Sequence, residues 1–302
     1  MIREVDIKGF KSKLENTKLD YPQSSNHNAF KLFFNYLGVA SRGGSKTYTT
    51  CQIIKEYENS VMKSSQGVHK IRTILISPTI DANSSMFANL KSLSPNDMYS
   101  EYKEDTLRDI IDDIKTIIDE VEEFKEYKQA YYVVDNTPKN KIKDLMKISP
   151  ELFDILKKYN FEDPKIVAEQ FRYTEKPITF LVIDDCMGSS AFNKKSQSLL
   201  LYWLIKNRHI FTSFFLLVQS MKSVPKNIRL NCNVYFLGKF ASKKMVLDDL
   251  YQEVSNILTP EEFEMIYDHA IKSSKYGALI IDNSGDEKRF YRNLEKEIIL
   301  EK

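Results

Sequence analysis

Residues Gly38 to Thr50 read "GVASRGGSKTYTT" and follow directly on the apolar run "FKLFFNYL" at Phe30–Leu37. An apolar run, a glycine pair and a stretch of helix-forming residues, in that order, specify strand, loop and helix, with the helix starting near Ser45. The strict phosphate-binding pattern is G-x-x-x-x-G-K-[ST]. Here Ser45 precedes Lys46, and Ala40 stands where the first glycine would be. Phosphate binding in such loops comes mainly from backbone N–H groups at a helix N-terminus, so side-chain identity matters most at the lysine and the hydroxyl residue. Ala40, Ser41, Arg42, Gly43, Gly44, Ser45, Lys46 and Thr47 are therefore the expected nucleotide-binding set. Gly43 and Gly44 supply the turn, Lys46 can reach the β- and γ-phosphates of ATP, and Thr47 can ligate Mg²⁺. Ser45 replaces glycine on one of two terms: its φ stays negative, or it carries a modest strain.

Such a loop needs an acidic partner on another strand. The run "ITFLVIDD" ends in Asp184, placed to hold Mg²⁺, and in Asp185, placed to orient or deprotonate an attacking water. In the next apolar run, "FFLLVQS", Gln219 stands at the strand end as a sensor of the γ-phosphate. Arg208 and Arg229 are candidates for a cation donated to a neighbouring subunit, with Arg229 favoured; each also suits a DNA phosphate contact or a plain surface position.

Further along the chain, "IRTILISPT" and "CNVYFLGKF" have strand composition, and "SQSLLLYWLIKNRH" is helical. Strands alternating with helices specify an α/β fold with a mostly parallel, doubly wound sheet flanked by helices. Between Asp105 and Tyr127 the apolar residues Leu107, Ile110, Ile111, Ile114, Ile117, Ile118, Val121 and Phe124 recur at three- and four-residue steps. They form the stripe of an amphipathic helix whose acidic face meets solvent. With "NKIKDLMK" and "SPELFDILKKY" it makes a helical insertion at about 95–172. Thr259, Pro260 and Glu262 read as N-cap, first-turn proline and capping-box acid of a helix through Lys272. "GALIIDNSGDEKRFYRN" reads as strand, turn, strand. The domain plan is an N-terminal arm, 1–28, and one ATPase domain, 29–302.

With 302 residues, 42% of them hydrophobic, the chain can bury a core large enough for one such domain and its insertion. Cys51, Cys186 and Cys232 are odd in number and lack metal-ligand spacing, which argues against a disulfide framework or a zinc site. No apolar run approaches the roughly 20 residues of a membrane span, and the first residues lack a signal-peptide core. The net charge of +2 hides a segregation: from Cys186 to Leu247 there is no Asp or Glu, against ten Lys and Arg. Such a stretch suits a polyanion.

The ordered set "ASRGGSKT", "ILISPT", "FLVIDD", "NRHIFTSFFLLVQSMKSVPKNIRLN" and "LTPEEFEMIYDHA" resembles the FtsK/HerA-type genome-packaging ATPases of nucleocytoplasmic large DNA viruses, including poxvirus-type members and those of virophages. The similarity spans Lys31 to Asn293, and the long fourth block is its most specific part. It implies a P-loop NTPase fold and an ATP- and Mg²⁺-dependent translocase. Its partners would be double-stranded DNA, further copies in a pentameric or hexameric ring, and capsid or portal-vertex proteins. Its setting would be the host cytoplasm (the virus factory) or the virion. Lys46, Thr47, Asp184, Asp185 and Gln219 match the family's nucleotide-site positions. The family usually carries Gly-Ser-Gly-Lys where this chain has Gly-Gly-Ser-Lys, an order compatible with slower turnover. Two further readings stay open: a terminase-like packaging motor, which normally adds an acid-rich nuclease domain, and a virion scaffold protein that binds nucleotide without hydrolysing it.

Overall fold

The runs "NYLGV", "RTILI", "ITFLVID" and "TSFFLLV" are buried along their whole length, as strands covered on both faces must be. A computed structural model describes residues 21–26, 29–135, 150–186, 188–192, 198–240, 251, 258–272, 274–285 and 287–300. In chain order the strands are Gln23–Ser24 (β1), Asn35–Val39 (β2), Met62–Ser64 (β3), Gly67–Val68 (β4), Ile71–Ile76 (β5), Leu93–Tyr99 (β6), Ile178–Asp184 (β7), Thr212–Val218 (β8), Val234–Leu237 (β9), Leu279–Asp282 (β10), Arg289–Arg292 (β11) and Lys296–Glu297 (β12). The α-helices are Lys46–Glu58 (α1), Ile80–Phe87 (α2), Glu104–Asp135 (α3), Pro150–Lys158 (α4), Pro164–Val167 (α5), Leu199–Ile205 (α6), Lys226–Arg229 (α7) and Pro260–Lys272 (α8).

Among the described residues, nine strands form one sheet in the order β12-β11-β10-β9-β2-β8-β7-β5-β6. From β9 to β6 every pairing is parallel, while β10, β11 and β12 extend the β9 edge antiparallel. The chain leaves β2 for β5 on one side and later runs from β8 to β9 on the other. The winding therefore reverses at β2, where an open α/β sheet has its crevice.

Period-two alternation divides the sheet's side chains between two cores. Leu37 and Val39 join Ile183, Leu216 and Leu237 beneath α3, α6 and α8. Tyr36 and Ala40 join Val182, Phe215 and Phe236 beneath α1 and α2. At the amino ends of the strands an asparagine clamp fixes β2. Asn35 Nδ2 donates to Leu204 O (2.9 Å) and Asn231 O (2.8 Å), and Asn207 Nδ2 donates to Phe33 O (2.8 Å). Part of the block that carries the family resemblance is thus a clamp at the edge opposite the phosphate loop.

The helical insertion begins later than about 95, because Leu93–Tyr99 is the sheet's outer strand and α3 starts at Glu104. Sequence alone missed this strand because Pro95, Asn96 and Asp97 break its apolar pattern. One end of α3 packs Leu107, Ile110 and Ile114 on the sheet. Its other end forms a satellite core of Phe124, Tyr127 and Ala130 with Leu156 of α4 and Val167 of α5. Buried Arg72 ties sheet to insertion, with Nη2 at 2.5 Å from Asp97 and 2.6 Å from Asp113 on α3, while Arg172 holds the other oxygen of Asp97 at 2.9 Å. The stretch "NKIKDLMK", most of the N-terminal arm, and Lys194, Lys195, Lys243 and Lys244 lie outside the described residues. The capping box at α8 is present: Thr259 N donates to Glu262 Oε2 (2.8 Å) and Glu262 N to Thr259 Oγ1 (3.2 Å).

Candidate nucleotide site

Register puts the strand ends level. Val39 lies opposite Val218 on β8 and Leu237 on β9, and Asp184 at the end of β7 lies opposite Leu217. The segments that follow β2, β8 and β7 are therefore adjacent: the glycine loop, Gln219, and the Asp184–Asp185 pair. All open into one cleft of about 1530 Å³, lined by residues 42 to 47, Asp184, Asp185 and Gln219.

The loop reaches this position through two backbone constraints. Gly43 has φ +74°, in the left-handed region that glycine enters without cost. Gly44 packs so closely that a β-carbon there would lie 2.7 Å from Ala40 Cβ and 2.9 Å from Ser41 O. Ser45 stands at the N-cap of α1 with φ +61° and makes no side-chain cap hydrogen bond. Of the two terms on which serine can replace glycine, the second holds, and the left-handed residue costs on the order of 1–2 kcal/mol. Ser41 N meets Lys239 O at 3.4 Å beyond β9, which ties the loop to the neighbouring strand end.

Lys46 Nζ donates to the loop's own carbonyls, Ala40 O at 2.7 Å and Ser41 O at 3.3 Å. Burial lowers its pKa, and the charges of Asp184 and Asp185 oppose that shift. Thr47, one residue on, donates through Oγ1 to Asp184 Oδ2 at 3.0 Å. Asp184 is 3% exposed. Burial pushes its carboxyl up to about 6; the Thr47 hydrogen bond resists this, Asp185 adds to it, and Lys46 resists it. Asp185 adopts φ +53°, a strained value for a non-glycine residue, and its Oδ1 accepts from Gln219 Nε2 at 2.7 Å.

The structure therefore brings Lys46, Thr47, Asp184, Asp185 and Gln219 together. Ala40 and Ser41 accept from Lys46 through their carbonyls and do not line the cleft, whereas exposed Arg42 does. Arg229 does not face this cleft: on α7 its guanidinium donates to Met221 O (3.3 Å) and Val224 O (3.1 Å), closing the turn after β8. Arg208 is exposed in the turn before β8, at the other edge of the sheet. A hydroxyl and a buried carboxylate 3.0 Å apart are hard oxygen donors that fit Mg²⁺. Sequence reading missed Tyr48, Tyr276 and Leu294, which line the same cleft. The last two come from the antiparallel edge of the sheet, and no motif linked them to the loop.

No family model matches this sequence, and the comparison with curated proteins finds no match. Solved structures of similar topology include the genome packaging NTPase B204 of Sulfolobus turreted icosahedral virus 2 in complex with AMP, at 12% identity and TM-score 0.42 over 89% of this chain and 97% of that one. A second is the DNA-packaging ATPase B204 of Sulfolobus turreted icosahedral virus, at 11% and 0.44 over 85% and 96%. A third is EssC (ATPases 2 and 3) from Geobacillus thermodenitrificans, at 11% and 0.40 over 88% of this chain and 41% of that one. The similarity is distant, and the reading of the cleft rests on its own residues.

Two predictions follow from the loop and the buried acid. Gly44→Ala lowers the urea unfolding free energy by about 1–3 kcal/mol, because its new methyl meets backbone. Ser45→Gly leaves it within about 1 kcal/mol, strain relief being offset by added freedom of the unfolded chain. Equal tolerance of both substitutions would contradict the loop conformation. For Asp184 the folded-state pKa is raised above the unfolded value, so the native state holds the extra proton between about pH 4 and pH 6. Its contribution to stability is lost as pH rises through that window. Wild type loses on the order of 2–3 kcal/mol more than Asp184→Asn between pH 4 and pH 7 in ligand-free protein. Parallel stability curves for the two proteins would refute the shift.

Proposed function

We propose that the chain is a P-loop ATPase that drives double-stranded viral DNA into a preformed capsid as a homo-oligomeric ring. The observation that carries the ATPase reading is the convergence of Thr47, Asp184, Asp185 and Gln219 on one cleft at the end of β2. Lys46 exchanges its carbonyl acceptors for phosphate oxygens, and the N–H groups at the start of α1 complete the cradle. Thr47 and Asp184 would hold Mg²⁺, which would supply positive charge to the phosphate oxygens. Asp185 takes the proton of the attacking water, and Gln219, bonded to it, reports the state of the γ-phosphate to β8. In an assembled ring Arg229 would exchange the carbonyls of Met221 and Val224 for a phosphate oxygen of a neighbouring copy.

The DNA part rests on the acid-free stretch. Lys206, Arg208, Lys222, Lys226 and Lys239 are all exposed. Contacts of this kind read phosphates rather than bases. No helix of the described residues is long and apolar enough to cross a membrane. The proposed setting is the host cytoplasm or the virion, with capsid or portal-vertex proteins as partners.

Phosphate release from ATP, measured with and without duplex DNA, tests this reading. Wild type hydrolyses ATP, and DNA stimulation fades steeply between about 50 and 200 mM salt. Lys46→Ala abolishes release, and Asp185→Asn lowers kcat by roughly 10²–10⁴. No release by wild type would favour the non-hydrolysing scaffold, and cleavage of the DNA would favour a terminase.

A further inference from the structure

The cleft extends from the phosphate loop in the direction opposite to the acid pair, and that arm has no part in the proposed chemistry of the phosphates. β10 continues the level of the strand ends: Leu279 lies opposite Leu237, and Arg292 of β11 lies opposite Leu279. At about 4.8 Å per strand, the segments flanking these residues lie roughly 10–14 Å to the side of the loop strand β2. Tyr276, just before β10, and Leu294, just after β11, line the cleft there. Tyr48, on the first turn of α1, lines it as well. The three are 52%, 41% and 56% exposed.

The two sheet-edge residues are mounted on a rigid frame. Asn293, at φ +52°, fastens the Leu294 turn to the chain beside Tyr276 by two bonds. Its N donates to Ala278 O at 2.9 Å, and its Oδ1 accepts from Ala278 N at 3.0 Å. Gly277 is pressed against the end of α8, where a β-carbon would lie 2.6 Å from Ile271 O. A backbone fixed in this way needs no ordering when a ligand covers it. Lys275 Nζ lies 5.4 Å from the centroid of the Tyr276 ring, on one side of it, which leaves the other face for a ligand.

We propose that Tyr276 and Leu294 form the wall that receives the base of the nucleotide, Tyr276 offering its ring face. This inference rests on the phosphate-loop reading and adds the half of the ligand that the loop does not hold. The triphosphate then spans the sheet edge, with its terminal phosphate toward β8 and β7 and its nucleoside toward β10 and β11. Recognition through a ring face takes any nucleobase, so the wall distinguishes a nucleotide from bare polyphosphate rather than one base from another.

Calorimetric titration with ATP and with inorganic tripolyphosphate, both in magnesium buffer, tests the wall separately from the loop. Tyr276→Ala weakens ATP binding roughly tenfold, in line with the loss of one base–aromatic stack, and leaves tripolyphosphate binding unchanged. Tyr276→Phe retains ATP affinity, and Lys46→Ala weakens both ligands. Unchanged ATP affinity in Tyr276→Ala, or an equal loss for both ligands, would overturn the wall while the loop stands. A wild type that binds neither ligand would overturn the phosphate-loop reading and the wall with it.

Discussion

A 3.0 Å hydrogen bond from Thr47 Oγ1 to Asp184 Oδ2 joins the first turn of a helix to the end of a strand two places away in the sheet. It can form only if β2, β8 and β7 end level with one another and the glycine loop folds back tightly enough to start α1 over that edge. The first condition is met by parallel register, and the second by Gly44, which approaches Ala40 and Ser41 more closely than any residue with a side chain could. A slip of one residue in β7 would turn Asp184 to the other face of the sheet and remove it from the loop. Much of the core and the asparagine clamp at the far end of β2 serve to hold that register.

Polar groups are brought into this edge at a cost that is visible in the structure. Asp184 is buried, and its carboxyl binds its proton more tightly as a result. Lys46 is partly buried and donates to carbonyls of its own loop. Ser45 and Asp185 both sit at positive φ. A triphosphate with a divalent cation would relieve the electrostatic part of this cost, since each charged group gains a partner of opposite sign. Backbone strain of this kind clusters at ligand clamps and active sites.

Those features that depend on neighbours in sequence were legible from the start. The strand–loop–helix at 38–50, the acid pair at the end of an apolar run, the amphipathic stripe of α3 and the capping box at Thr259 each follow from spacing within a few residues. Features that depend on which strands become neighbours were not. Composition alone does not say that β8 separates β2 from β7, although this order is what puts Gln219 within 2.7 Å of Asp185. Nor does it say that an antiparallel edge brings Tyr276 and Leu294 to the cleft. Arg229 is one of ten cations in the acid-free stretch, and nothing in its spacing says that its guanidinium rests on the carbonyls of the 221–224 turn. Outer strand β6 is hidden by its polar residues, among them Asp97, which faces inward to buried Arg72 rather than outward to water.

A double-substitution cycle on Thr47→Ala and Asp184→Asn, read as the affinity for magnesium-ATP, addresses the geometry most directly. If the hydroxyl and the carboxylate act on one cation, removing the second costs much less once the first is gone, and the coupling between them exceeds about 1 kcal/mol. Losses that add within about 0.5 kcal/mol would mean that the two groups do not share a ligand, and the site described here would not exist.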